Sequence, residues 1–300
     1  MIGPITIKRA IKRTTGWAAI LADLLAGDTD TTRATIFYYH RVADLGFVDP
    51  RNDDWNVPPR AFEKQIATLR EFAEVVPLHE LPARLAASPA NGRPIVSLTF
   101  DDGYASFCYD ALPVLRNYDV PATVFVITSL IGMPGPVPFD RWSQHNSRRA
   151  PSEVWRSMSW KEIETCLAAG IITIGAHSHR HLMGRYCDRE QLADETGLSR
   201  EILRSRLGHG HALAYAYPYG STKLGYVPPS YVDAVRAAGY QMAVTTDLGL
   251  ASAESDPYLL PRLEAHGLDS PGVIKAKTTG TLGPYYLSDR LRMAVAQYER

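Results

Sequence analysis

Ile95-Val96-Ser97-Leu98-Thr99-Phe100-Asp101-Asp102-Gly103-Tyr104 is an apolar, β-branched run that stops abruptly at two acids and a glycine. A run of this length and composition predicts a buried strand, which puts the acids at its carboxyl end. In parallel α/β sheets and barrels, ligands and catalytic groups collect at that end, because the loops vary while the strands hold them in place. Two adjacent carboxylates cannot both enter a dry pocket uncompensated, so a metal ion is a natural partner for at least one of them. A solvated turn is the alternative, since Asp-Asp-Gly is also ordinary turn chemistry.

A second segment repeats the pattern. Ile171-Ile172-Thr173-Ile174-Gly175-Ala176 reads as another buried strand and is followed at once by His177-Ser178-His179-Arg180-His181. If the chain turns helically after the strand, His177 and His181 fall on one face and both present a ring nitrogen to one ion. His179 then points elsewhere, and Ser178 is suited to hydrogen-bond the nearby backbone. Together with a strand-end carboxylate, these are the parts of a divalent metal site with an open position, and a metal hydrolase is the leading expectation.

Strand-like runs recur near residues 34–39, 95–100, 121–127, 171–176, 212–217, 241–246 and 258–263. Helical patterns lie between several of them, at Pro59 to Phe72, Ala105 to Asn117, Ser159 to Ala169, Asp188 to Leu207 and Ser230 to Ala238. This alternation predicts a parallel sheet of about seven strands closing into a single α/β barrel. A chain of 300 residues with 45% hydrophobic content has enough apolar side chain for such a core. Gly132 to Val154, rich in proline and carrying Phe139, Arg141 and Trp142, reads as a long loop at the barrel mouth.

The motifs resemble those of the polysaccharide deacetylases, the NodB-homology or carbohydrate esterase family 4 enzymes. Thr99-Phe-Asp-Asp-Gly-Tyr104 and His177-Ser-x-x-His181 are similar to the first two motifs of that family, and Ala214-Tyr-Ala-Tyr-Pro-Tyr-Gly220 to the third. Phe37 to Val42, Pro121 to Val126 and Leu260 to Leu263 look like further strands of one branch, so the similarity spans residues 34 to 265. The resemblance implies a distorted (β/α) barrel of NodB type that hydrolyses the N-acetyl group of an amino sugar. It implies Asp101 as catalytic base, and Asp102, His177 and His181 as ligands of one divalent ion, usually Zn2+ with other first-row metals as alternatives. Pro218, Tyr219 and Gly220 are implied as the oxyanion loop, with the Tyr219 N–H as donor.

Two family features lack a clean match. The arginine that orients the base before the third motif is replaced by Ala214 to Tyr217, and Arg262 is the candidate substitute because a guanidinium supports a carboxylate bidentately. The general acid, a histidine in a late Leu-x-His motif, is also missing, leaving His266 and His40 as candidates. Tyr104, Tyr217, Tyr219, Trp142 and Trp160 are expected in or near the mouth, where flat rings suit sugar faces. Two rivals stay open: the same chemistry on a formamide, cyclic amide or sugar ester, and a carbohydrate-binding barrel with a weakened site.

The balance of 32 basic and 32 acidic residues gives no support for nucleic-acid binding. Cys108, Cys166 and Cys187 suggest neither a disulfide framework nor zinc-ribbon spacing. Residues 1–30 are expected to form an amphipathic helical segment ahead of the catalytic domain at 31–300. Within it, residues 5–25 pair Lys8, Arg9, Lys12 and Arg13 with Trp17 and aliphatics, which fits peripheral membrane contact or packing against the barrel. No export signal stands out, so the expected setting is cytoplasmic, at the inner membrane surface. The sugar, the acyl group and the oligomeric state are not specified by the sequence.

Overall fold

The computed structural model describes residues 32–45, 47, 55–87, 92–208 and 210–280. The expected amphipathic segment at 1–30, including the membrane-contact stretch 5–25, lies outside these residues. The barrel strands are β1 (Arg33–Tyr39), β2 (Ile95–Phe100), β3 (Ala122–Val126), β4 (Ile172–Ala176), β5 (Ala214–Ala216), β6 (Met242–Val244) and β7 (Leu263–Glu264). From β1 to β6 each strand pairs in parallel with the next, for example Tyr39 with Phe100, Phe100 with Val124 and Val126 with Ala176. Leu260 then bridges to Val244 of β6, while Leu263 and Glu264 pair with Phe37 and Tyr38 of β1. The segment 260–264 therefore links the last strand of the sheet back to the first, and the sheet curls into a distorted (β/α) barrel.

Near-continuous apolar runs explain why these strands are central. Every residue of β2, β3 and β5 is buried, as expected for strands covered on both faces. The helices α1 (Pro59–Phe72), α2 (Leu112–Tyr118), α3 (Trp160–Leu167), α4 (Arg189–Leu207), α5 (Pro229–Ala237) and α6 (Pro271–Thr279) run between or after the strands. Capping boxes start α3 at Ser159 and α4 at Asp188, satisfying end groups that would otherwise be orphaned.

Local chemistry accounts for three departures from expectation. The helix expected over 105–117 begins as a wide π-type turn at Phe107–Ala111, because Pro113 has no N–H to donate back one helical turn. Pro261, likewise without a donor, interrupts the expected strand 258–263, leaving the Leu260 bridge and the two-residue β7. The stretch 132–154 is not a plain loop, since it contains short helices at Arg141–Asn146 and Ser152–Trp155. Cys108, Cys166 and Cys187 are free thiols.

Gly175, within β4, is held to glycine by packing. An added Cβ would meet the Phe125 ring at 2.5 Å and the Ala214 carbonyl oxygen at 2.9 Å. Gly175→Ala should therefore cost on the order of 1–3 kcal/mol through overpacking. Thermal unfolding checks this, and an unchanged midpoint would show that the neighbouring strands give way freely.

Candidate active site

All functional candidates that follow a strand lie at one end of the barrel. His40 follows β1, Asp101 and Asp102 follow β2, His177 follows β4, Tyr217 to Tyr219 follow β5, and Thr245 and Thr246 follow β6. The ladder continues past the strand ends, with Asp101 N donating to Tyr39 O at 2.8 Å and His177 N to Val126 O at 2.8 Å. A cavity of about 350 Å³ opens there, with Asp101, Asp102, His177 and His181 at its floor. Tyr38, His40, Trp55 and Glu264 form one wall, and Phe139, Tyr219, Leu224 and Tyr226 contribute others.

Asp101 and Asp102 are both about 2% exposed, but the protein treats them differently. Arg262 donates from Nη1 to Asp101 Oδ1 at 2.8 Å and from Nη2 to Oδ2 at 2.7 Å. The guanidinium is itself fully buried, held by Nε to the Thr245 carbonyl at 2.8 Å and by Nη1 to Thr99 Oγ1 at 3.1 Å. Burial pushes the Asp101 carboxyl upward, but Arg262 and then His177 outweigh it and hold the group below its ordinary range. Arg262, the candidate named from the sequence, thus contacts Asp101 through two parallel N–H groups.

Asp102 has no such cation. Its buried Oδ1 has no hydrogen-bonding partner among the described residues, and its near neighbours are His177 Nε2 at 3.3 Å and His181 Nε2 at 3.5 Å. The His177 Nδ1 lies 2.8 Å from the Ala216 carbonyl oxygen, which can only accept, so Nδ1 carries the proton. In the neutral ring, Nε2 is then a lone pair aimed at the carboxylate, which suits a shared cation and not a direct bond. One atom from each of Asp102, His177 and His181 falls within 4.8 Å of the others. Burial pushes the His181 imidazole down to about 3, keeping it in the neutral form that binds metals. This donor set fits a divalent ion and leaves a coordination position open.

The loop carrying the histidines is fastened from outside the motifs. Glu195, fully buried in α4, accepts from His179 N at 3.1 Å, Arg180 N at 2.7 Å and Arg180 Nε at 2.7 Å. Ser178 Oγ accepts from His181 N at 2.8 Å, and His179 turns away to Thr128 Oγ1 at 2.9 Å. Among the described residues, six non-glycine residues have positive φ, and Asp102, Ser178, His181 and Tyr219 are four of them. Such conformations persist where the surroundings over-determine them, as these hydrogen bonds do for Ser178 and His181 in the histidine loop.

Other expected site residues fall elsewhere. Tyr104 is buried beneath the mouth, its hydroxyl 2.8 Å from Asp140 Oδ2, because its ring packs with Ile127, Leu130 and Val137. Trp142 is half-buried beside Arg41 and Phe47, and Trp160 packs against Arg206, so none of the three lines the cavity. Tyr217 does line it, although its hydroxyl is tied to the Tyr258 carbonyl at 3.1 Å. Tyr219 projects into the cavity and is 39% exposed, while Pro218 and Gly220 shape its loop without lining. Gly220 has φ +56°, and a Cβ there would meet Thr246 N at 2.7 Å.

The two acid candidates separate clearly. His40 lines the cavity, stacked on Trp55 with centroids 5.1 Å apart. His266 is 1% exposed and sits outside the lining, its Nε2 3.0 Å from Glu264 Oε2. Sequence reasoning missed Glu195, Trp55, Glu264 and Tyr226. Only Glu195 carried a signal, as an acid on the same helix face as the buried Leu192, Thr196, Ser199 and Leu203.

Removing Arg262 should leave Asp101 as an uncompensated buried charge. Arg262→Ala is expected to lose about 3–5 kcal/mol of stability at neutral pH. Because the folded Asp101 carboxyl lies below its unfolded value, the pair's contribution is fully present above about pH 4 and fades as pH falls toward the folded value. Urea unfolding of wild type and variant across that range should show the gap narrowing in acid, whereas a constant gap would contradict the pairing.

Comparison with known proteins agrees with this architecture. A family model described as polysaccharide deacetylase matches residues 88–243, which include Asp101, Asp102, His177, His181 and Tyr219 but not His40 or Arg262. The Bacillus subtilis protein YxkH is 26% identical over 240 residues, covering 79% of this chain and 72% of its own. The poly-β-1,6-N-acetyl-D-glucosamine N-deacetylase of Staphylococcus epidermidis is 24% identical over 253 residues, covering 75% of this chain and 76% of its own. The Streptococcus pyogenes deacetylase PplD, solved with acetate, superposes with a TM-score of 0.67 at 22% identity, over 82% of this chain and 98% of its own. With a matched domain that contains the paired acids and both histidines, the chain belongs to the polysaccharide deacetylase family of amide hydrolases.

Proposed function

We propose that this protein is a metal-dependent N-deacetylase that removes the acetyl group from an N-acetylated amino sugar within a polysaccharide or glycan. The observation that carries the reading is the unequal treatment of two adjacent acids: Asp101 is clamped by Arg262, whereas Asp102 faces two imidazoles with an oxygen no donor satisfies. Similarity to a poly-β-1,6-N-acetyl-D-glucosamine N-deacetylase supports the choice of sugar class.

Asp102, His177 and His181 would hold the ion, Zn2+ being the first to test because one carboxylate and two imidazoles are a common zinc donor set. When bound, the ion supplies an acidified water and a positive charge against the acyl oxygen. Asp101, kept ionised by Arg262, accepts the proton as water attacks the N-acetyl carbonyl. Arg262 fixes the plane of that carboxylate, so the accepting oxygen is placed before substrate arrives. The Tyr219 backbone N–H is the proposed donor to the oxyanion of the tetrahedral intermediate.

The leaving nitrogen must be protonated before the C–N bond breaks. His40 is the proposed donor, because it lies on the cavity wall while His266 is shut behind Glu264. Collapse of the intermediate then releases acetate and a free amine. The surrounding rings of Trp55, Tyr38 and Tyr226 offer faces on which a pyranose can stack.

Acetate release from N-acetylglucosamine oligomers, measured with Zn2+-loaded protein, tests the roles separately. Asp101→Asn should retain the ion and lose about 100- to 10,000-fold in kcat, as should His40→Ala. His177→Ala should lose the ion and the activity together. Wild-type metal content and turnover in His177→Ala would contradict the assignment, and faster release of formate from the N-formyl analogue would change the acyl group.

A further inference from the structure

Histidines that bind metals are usually oriented by a hydrogen bond from the ring nitrogen not facing the ion. His177 follows this rule through Nδ1 and the Ala216 carbonyl oxygen. His181 does not: among the described residues its buried Nδ1 has no hydrogen-bonding partner, while Nε2 faces Asp102 Oδ1 at 3.5 Å. Its backbone is fixed by Ser178 Oγ and a φ of +62°, but neither sets the rotation of the ring about its own bond, which is intrinsically broad.

The ring is instead covered face to face by Phe139. Centroids lie 3.9 Å apart and the planes differ by 12°. We propose that Phe139 is a positioning residue that sets the plane of the His181 imidazole for metal binding, in place of the absent hydrogen bond at Nδ1. The proposal rests on the metal-site reading above. A parallel ring contacts only the face of the imidazole, so the edge with Nε2 stays directed at Asp102.

Phe139 is in turn held by a buried network that none of the proposed chemistry uses. Asp140, the next residue, accepts from Arg41 Nη2, from Ser143 Oγ and, at 2.8 Å, from the Tyr104 hydroxyl. Arg41 and Asp140 are 1% and 3% exposed. Tyr104 and Trp142, the rings that sequence reasoning placed at the mouth, lie 4.4 and 4.5 Å from the Arg41 guanidinium and close over it. Arg41 follows β1 and His40 directly, so the barrel wall is tied through Arg41 and Asp140 to Phe139 and thence to His181. This gives the buried charge pair a purpose at the site without any of its atoms entering the cavity.

The test is Zn2+ affinity of the full chain without substrate, measured by competition with a chromophoric chelator. Phe139→Leu and Phe139→Met keep apolar bulk but offer no plane, and each should weaken Zn2+ binding about 10- to 100-fold, whereas Phe139→Tyr should stay within about twofold of wild type. His177→Ala, measured alongside, should bind no Zn2+ at the site. Wild-type affinity in Phe139→Leu or Phe139→Met, with His177→Ala inactive in binding, would overturn the positioning role alone. A loss in Phe139→Tyr equal to that in Phe139→Leu would overturn it too, because a retained ring would then confer nothing. Undiminished Zn2+ binding in His177→Ala would instead remove the metal-site reading beneath it.

Discussion

Two neighbouring carboxylates buried at the mouth of a barrel pose an electrostatic problem that governs the rest of this structure. Each ionised acid loses its hydration there, a penalty of several kcal/mol unless a partner offsets it. The protein resolves one half with its own residue, since Arg262 reaches across the barrel interior to meet both oxygens of Asp101. It leaves the other half open, with Asp102 Oδ1 facing the Nε2 atoms of His177 and His181. One acid is thereby compensated within the protein, and the other is not, which is the asymmetry on which the proposed chemistry rests.

The scaffold serves that division. Parallel strands bring the ends of β1, β2, β4, β5 and β6 to one rim, and the link through residues 260–264 closes the wall while delivering Arg262 inward. Strained positions cluster at Asp102, Ser178, His181 and Tyr219, and Glu195 of α4 grips the loop that carries two of them. Phe139 adds a contact of a different kind, a flat surface against the His181 ring. Precision at the site comes from packed and hydrogen-bonded supports on at least four separate elements, which is what preorganised chemistry requires.

Much of this was legible in the sequence because it was written in local patterns. The apolar run ending at Asp101 and Asp102 predicted β2 to the residue, and the Ile171 to Ala176 run predicted β4 within one. Arg262, which the sequence offers as a candidate partner, lies against both oxygens of Asp101. What failed was information that only packing contains. Tyr104 belongs to a motif at the mouth, yet its ring turns into an apolar cluster that no spacing in the sequence reveals. Trp55 and Glu264 line the cavity from a loop and a two-residue strand that lack periodicity. His40 and His266 were indistinguishable as residue types, and only burial separates them.

The central claim is that Asp102, His177 and His181 jointly hold one divalent ion. Crystals grown with Zn2+ and measured on both sides of the zinc absorption edge test it directly, through anomalous difference density. The account predicts a single peak about 2.0–2.2 Å from Asp102 Oδ1 and from the Nε2 atoms of both histidines. A peak elsewhere in the cavity, or one bound by the histidines with Asp102 turned away, would contradict it.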